Sequence, residues 1–333
     1  MHWFDKNSPV VCYCAEPLDY LIFESIQPYL KKIPITGKRK TRLFLKKRGF
    51  ACKRMPCFPK AVIMFRHATY KFPEKKILKI GLRHGVYTFK KHTHADNYNE
   101  FALYLTTSRT DVKIAESLGC KTVYSVGYPR IDPLFNGTYD SSTLEGYREK
   151  AKLNPAKKTI LFTTTYNASG LSAIDIWINK LNLLLDKYNI LVTVHPWVDN
   201  KYKRKLKNEK GIYFIKDVNT LPFLAIADIM VSDYSSIIGE FCALDKPIVT
   251  FKVRPGKRTT QEIMDLIEKI SIQVSSFDEM IVAIEQSLKN SDEMSSARQE
   301  ANTLMFDALD GKSGQRAAEQ ICKYLPDLRL VHE

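Results

Sequence analysis

The sequence predicts an α/β protein of two Rossmann-like domains, each a parallel sheet wrapped by helices on both faces. Three observations carry that prediction. In the second half, apolar runs of strand length alternate with segments of helical length, the pattern of a parallel sheet with crossover helices. The first half repeats the alternation more weakly. Between them, "YDSSTLEGYREKAKLNPAKK", Tyr139 to Lys158, reads as a charged helix followed by a Pro-containing linker. The expected domains are therefore 1–150 and 151–333, with the option that the last helix packs back on the first domain.

Taken in order, the first half offers strands at Val10–Cys14, Ala61–Phe65, Ile77–Leu82, Phe101–Thr106 and Thr122–Val126. Helices are expected near Leu18–Leu30 and Thr110–Leu118. The second half offers strands at Thr159–Thr164, Ile190–His195, Ile212–Phe214, Ile229–Ser232, Pro247–Phe251 and Ile270–Val274. Its clearest helix is Ser172–Tyr188, where Ile174, Trp177, Ile178, Leu181, Leu184 and Leu185 recur at helical spacing. After Phe277 the chain reads as mostly helical, including Ser313–Tyr324. No internal repeat or low-complexity tract interrupts the pattern.

With 333 residues, 44% hydrophobic and 26% charged, the chain is globular and long enough for two cores. No run of eighteen apolar residues is present, so no membrane-spanning helix is expected. The start, "MHWFDKNSPVVCYC", makes a poor signal peptide, because an acid precedes the apolar stretch and no basic n-region does. Seven scattered cysteines argue against a disulfide framework and for a reducing cytoplasm. The net charge of +15 is unevenly placed: residues 1–100 hold 21 Lys and Arg against 7 Asp and Glu, residues 151–333 hold 24 against 23. The densest stretch, Gly37 to Lys60, interleaves bases with Leu, Phe and Met. That pattern suits an anionic membrane surface, a phosphate-rich acceptor or nucleic acid, or is a solvated face without a partner.

In an open parallel sheet, ligands bind outside the carboxyl ends of the strands. Three strand ends in the second half gather polar groups: Thr163, Thr164, Thr165, Tyr166 and Asn167; His195, Pro196 and Trp197; and Ser232, Asp233, Tyr234, Ser235 and Ser236. The last run enters a helix directly. The first N–H groups of a helix lack partners and carry positive charge, so Ser235 and Ser236 read either as a phosphate cradle or as plain helix caps. Glu240, a turn later, faces a ribose hydroxyl or is an ordinary helix carboxylate. His195 donates to a phosphoryl oxygen or carries a proton, or is structural. In the first half His84 stands between Arg83 and Gly85, as a general base or a loop histidine; Arg83 depresses its pKa and Gly85 permits close approach. Arg130 in "GYPRIDPLF" pairs with a phosphate or with an acid such as Asp132. His92 and His94 lack the second cluster that a metal site needs.

Read together, these pieces resemble the CDP-glycerol:glycerophosphotransferases of teichoic-acid and capsule synthesis. "DYSSIIGEFCALDKPIVTF" is similar to that family's Asp-Tyr-Ser-Ser elbow, later acid and Leu-Asp-Lys-Pro strand entry. "RHG" at Arg83–Gly85, "VHP" at Val194–Pro196, "GYPRID" and "DGKSGQRAAEQI" match further motifs. The sequence departs at Arg83 and Val86, where the family has Trp and Thr, and at Thr163–Asn167, where it has Ala-Pro-Thr-Tyr-Arg. The resemblance implies a GT-B-like fold with parallel sheets facing a cleft. It implies transfer of glycerol phosphate or ribitol phosphate from a CDP-activated donor to a hydroxyl of a glycan or polyprenyl-linked acceptor, releasing CMP. His84 is the implied base, with Arg83 and Gly85 beside the acceptor. His195 is the second implied catalytic residue, contacting the donor phosphates, and Thr164, Thr165, Asp233, Ser235, Ser236, Glu240 and Arg130 are the implied donor contacts. No metal and no obligatory cofactor are expected, nor nucleic acid as a partner. The expected location is cytoplasmic, peripheral at the inner face of the membrane. Two rival readings stand beside it: a GT-B glycosyltransferase using a CMP- or UDP-linked sugar, and a non-catalytic basic nucleic-acid-binding protein.

Overall fold

The computed structural model describes residues 9–53, 55, 57–86, 94–254 and 260–330. The chain forms two compact units, Met1–Asn136 with Leu304–Glu333, and Gly137–Thr303. In the first unit the described strands are β1 (Val10–Cys14), β2 (Ile35–Gly37), β3 (Cys52–Lys53), β4 (Ala61–Met64), β5 (Leu78–Leu82), β6 (Leu103–Thr106) and β7 (Val123–Ser125). They pair in the order β3-β2-β1-β4-β5-β6-β7, parallel throughout. In the second unit β8 (Lys158–Thr164), β9 (Tyr188–Val194), β10 (Ile212–Phe214), β11 (Ile229–Ser232), β12 (Ile248–Phe251) and β13 (Ile272–Val274) pair as β10-β9-β8-β11-β12-β13, also parallel.

Both sheets are doubly wound. The chain starts in the middle, moves to one edge, then returns to build the other side. The order reverses between β1 and β4 in the first sheet and between β8 and β11 in the second. Helices cover both faces, so the central strands are buried on both sides and read as continuous apolar runs. Ile160, Phe162, Ile190, Val192, Ile229, Val231, Val249 and Phe251 enter the core on one face of the second sheet. Leu161, Leu191, Met230 and Ile248 are buried from the other.

All eleven expected strands form; β2 and β3, short members within and beside the basic stretch, are additional. The expected Ser172–Tyr188 helix is a correction. The chain instead makes a short helix at Ile174–Trp177, a 3-10 turn at Leu181–Leu184, and enters β9 at Tyr188. Its apolar side chains still face the core, because Trp177, Ile178, Leu181 and Leu184 are all buried. The three-residue spacings, Ile174 to Trp177, Ile178 to Leu181 and Leu181 to Leu184, satisfy a 3-10 turn as well as an α-helix.

The contacts divide the chain after Asn136 and not after residue 150. The Ser141–Lys150 helix packs on Leu221–Ile226 in the second unit, with the rings of Tyr147 and Phe223 5.4 Å apart. Asn219 donates to the Tyr139 hydroxyl at 2.8 Å. The final Ser313–Tyr324 helix belongs to the first unit. Asp132 accepts from the N–H groups of Ser313 (3.1 Å) and Gly314 (2.6 Å), capping that helix. Arg316 donates to the Val126 carbonyl at 3.0 Å. Gly127, at φ +86°, lies so close that a Cβ there would stand 2.4 Å from Ser313 Oγ.

Candidate functional site

In the second unit, β8, β9 and β11 are neighbours, so their carboxyl ends bring Thr164, Thr165, His195, Asp233, Ser235 and Ser236 to one edge. Asp233 is wholly buried. Its carboxylate accepts from the Thr164 hydroxyl, from Thr165 N–H at 2.9 Å and from Ala173 N–H at 3.1 Å. Burial pushes this carboxyl up to about 6, and those donors pull the other way. Asp233 therefore ties the end of β8 to the end of β11 and is a positioning residue; its oxygens are committed inside the protein. Thr164, buried and bonded to Asp233 and to the Ser172 hydroxyl (2.7 Å), belongs to the same staple.

The helix after the elbow is short, Ile237–Cys242. Ser236 occupies its cap position, yet its side chain makes no cap hydrogen bond. The plain-cap explanation thus does not account for its hydroxyl. Ser235 is half-buried and Ser236 exposed. Glu240 is on that helix and buried.

His195 directly follows β9, its N–H donating to the Thr164 carbonyl at 3.1 Å. Its Nδ1 accepts from Trp197 N–H at 3.1 Å, which puts the proton of the neutral ring on Nε2. Tyr166, His195 and Trp197 form an aromatic trio with centroids 5.2 to 5.4 Å apart. Asn167 and Asp199 exchange two hydrogen bonds, 2.8 and 3.0 Å, that join the loops after β8 and β9.

In the first unit, His84 follows β5. Its Nδ1 lies 2.8 Å from the Phe65 carbonyl, which fixes the proton on Nδ1 and leaves Nε2 as the basic nitrogen. The Tyr128 hydroxyl donates to the His84 carbonyl at 3.0 Å. Burial, then the guanidiniums of Arg66 and Arg83, pull the imidazole down to about 3. The ring is neutral and a proton acceptor throughout the physiological range. Arg83 is buried against the rings of Tyr98 and Tyr104, 5.6 and 5.9 Å away, and donates to Tyr98 Oη at 3.2 Å. Among the described residues nothing stands within 4 Å of where a Cβ at Gly85 would lie. Arg130 is buried in the 3-10 segment Pro129–Leu134.

Two residues of this edge were missed from sequence. Asp19 is wholly buried at the start of the Pro17–Glu24 helix, and Arg66, just past β4, donates to it through Nε at 2.9 Å. The strand-end rule finds Arg66 when applied to Ala61–Phe65. Asp19 reads locally only as an acid in the first turn of a helix, accepting from Glu16 N–H; its pairing with Arg66, 47 residues away, has no local signal.

Other family-like segments are structural. Asp245, at φ +53°, accepts from Ser295 (2.6 Å) and from the buried Arg298 (2.8 Å). Lys246 donates to the Ala227 carbonyl at 2.8 Å, beyond the Leu221–Ile226 helix. His94 is exposed, and His92 lies outside the described residues. Among the described residues no group of three His, Cys, Asp or Glu side chains is arranged to hold a metal, all seven cysteines are free, and no helix is long and apolar enough to cross a membrane.

A model of the CDP-glycerol:poly(glycerophosphate) glycerophosphotransferase family matches residues 67–323. The chain is 25% identical over 283 residues to a teichoic acid poly(ribitol-phosphate) polymerase of Bacillus spizizenii, covering 78% of this chain and 43% of that protein. It is 30% identical over 157 residues to a teichoic acid glycerol-phosphate primase of the same species, covering 45% and 39%. The chain spans less than half the length of these curated relatives. Its fold matches a wall teichoic acid polymerase, TagF, with TM-score 0.68 at 15% identity, over 96% of this chain and 90% of that one. A Staphylococcus aureus MnaA–UDP structure matches with TM-score 0.66 at 14% identity, over 96% and 97%. The two parallel-sheet domains are GT-B-like.

Proposed function

This chain belongs to the CDP-glycerol:poly(glycerophosphate) glycerophosphotransferase family, and from that membership we propose that it is a transferase. It moves glycerol phosphate or ribitol phosphate from a CDP-activated donor to a hydroxyl of a glycan or lipid-linked acceptor. The relatives named as ribitol-phosphate and glycerol-phosphate enzymes support both donor types.

The observation that carries the reading is the elbow at Ser235 and Ser236. It lies at the β8/β11 reversal, where ligands of such sheets bind, and its hydroxyls form no hydrogen bond among the described residues. With the adjacent N–H groups they bind the donor's diphosphate. His195 donates to it through Nε2, and Glu240 holds the ribose. The acceptor oxygen attacks the β-phosphorus as the bond to the bridging oxygen breaks. CMP leaves with the electron pair, and the acceptor proton passes to Nε2 of His84. A pKa near 3 makes the ligand-free imidazole a weak base. Anionic substrates beside it favour the charged ring and raise that value toward working pH.

The Arg39–Lys47 helix supplies membrane contact from the cytoplasmic side. It surrounds Leu43, 54% exposed, with Arg39, Lys40 and Lys47.

One screen tests the transfer reading: CDP-glycerol, CDP-ribitol and CMP- or UDP-sugars, each with candidate acceptors, followed for nucleotide release and by 31P NMR of the product. Release of CMP with a new phosphodiester is expected. Nucleotide release with a glycoside and no new phosphodiester replaces the reading with sugar transfer.

A further inference from the structure

Residues 151–333 are close to charge-balanced, and that balance hides one concentrated patch. The stretch 200–210 holds six bases, Lys201, Lys203, Arg204, Lys205, Lys207 and Lys210, against the single acid Glu209. Most of it is the Asn200–Asn208 helix that follows β9. Tyr202 and Leu206, one turn apart, bury one side of that helix in the core of the second unit. Helical spacing then puts Lys201, Arg204 and Lys205 on one stripe of the opposite side, with Lys207 one turn after Arg204. All four are exposed. The helix carries no acid that could neutralise them at the spacing of one turn.

A second observation stands at the start of the same helix. Trp197 is 70% exposed. Its loop is fixed on both sides. Val198 is buried and its N–H donates to the His195 carbonyl at 3.0 Å. Lys203 Nζ donates to the Pro196 carbonyl at 2.6 Å, and Asp199 N–H donates to Asn167 at 3.0 Å. The indole is therefore presented by a built loop. An exposed indole beside uncompensated bases suits a membrane–water boundary. Indoles settle at the headgroup level, and Lys and Arg are drawn to anionic headgroups. Nucleic acid attracts the same charge, but no nucleic-acid-binding motif accompanies this helix.

We propose that Trp197 and the outer side of the Asn200–Asn208 helix dock the second unit on an anionic lipid surface. This contact is separate from the Arg39–Lys47 helix, which belongs to the first unit. Trp197 lies two residues from His195, so docking brings the strand end that carries the donor's histidine to the bilayer surface, where a lipid-linked acceptor lies. That consequence rests on the transfer reading above; the docking itself does not.

The test uses vesicles of phosphatidylcholine, alone or mixed with phosphatidylglycerol, with brominated acyl chains that quench tryptophan fluorescence. Trp177 is buried, and Trp3→Phe removes the remaining tryptophan, so the emission that lipid can reach is that of Trp197. In the Trp3→Phe protein, vesicles with phosphatidylglycerol quench Trp197, vesicles without it do not, and added salt reverses the quench. Lys201→Gln, Arg204→Gln and Lys205→Gln together weaken the binding read by this quench about a hundredfold, at about fivefold per base. Circular dichroism is unchanged, because all three are surface substitutions. Cosedimentation with vesicles while Trp197 stays unquenched assigns the contact to the first unit and overturns the proposal. So does a quench that survives the triple substitution at full strength. A patch that binds a single-stranded oligonucleotide in the wild type, loses it in the triple variant and shows no quench by vesicles belongs to nucleic acid, which also overturns it. If the wild type turns over no CDP donor, the transfer reading fails, while the vesicle titration still decides the docking.

Discussion

The two sheets reverse in the same way, and each reversal holds a carboxylate with no exposed surface, Asp19 in one and Asp233 in the other. Asp233 is surrounded by neutral donors: two backbone N–H groups and a hydroxyl. Asp19 instead holds a half-exposed arginine. The first edge is left with surplus positive charge and an uncharged histidine; the second has a buried acid beneath two serine hydroxyls. The second edge therefore presents dipoles, and the first a guanidinium. The same topology thus yields two electrostatic surroundings, decided by which partners satisfy the buried acid.

The largest effects test the histidines of the two edges. His84→Ala and His195→Ala each lower turnover at least about a hundredfold while circular dichroism is unchanged. Near-wild-type turnover in either removes that edge from the chemistry. Next comes stability. Asp233→Ala leaves the Thr165 and Ala173 N–H groups without their acceptor and costs about 2–4 kcal/mol in denaturant unfolding. Asp19→Ala frees an arginine that water can reach, and costs about 1–2 kcal/mol. Equal costs would erase the distinction between the two carboxylates.

The pH dependence sharpens it further. Asp233 is raised in the folded state, so folding takes up a proton; its contribution falls as pH rises from about 4 to about 6, by roughly 2–3 kcal/mol. His84 is lowered in the folded state, so its contribution falls as pH drops from about 6.5 toward about 3. Melting profiles of Asp233→Asn and His84→Gln across pH 4–7 should therefore depart from wild type with opposite slopes. The smallest effect is at the exposed cap: Ser236→Ala changes stability by less than about 0.5 kcal/mol and raises donor KM several-fold. A stability loss without a KM change would return Ser236 to ordinary capping.

The sheets are legible in the sequence because buried parallel strands are continuous apolar runs, and the strand-end rule alone places Thr164, Thr165, His195 and Ser235 at one edge. Three kinds of information were not local. The Ser172–Tyr188 stretch kept its buried face but not its hydrogen bonding, since three-residue apolar spacing fits a 3-10 turn as well as a helix. Asp233, Asp245 and Asp132 stand in segments that resemble ligand motifs, yet their oxygens accept from distant parts of the same domain. Only long-range partners separate such staples from a binding group. The Asp19–Arg66 pair joins residues with no shared pattern, so the pairing itself was invisible.

The return of the Ser313–Tyr324 helix to the first unit sets an order of events during synthesis. Gly127 and Asp132 leave the ribosome long before Ser313, Gly314 and Arg316 that complete their contacts. The segment Gly137–Thr303 is contiguous and can close its own sheet while the earlier one waits, open along the face that the last helix covers. A nascent chain stalled before residue 313 thus carries a finished second domain on an unfinished first.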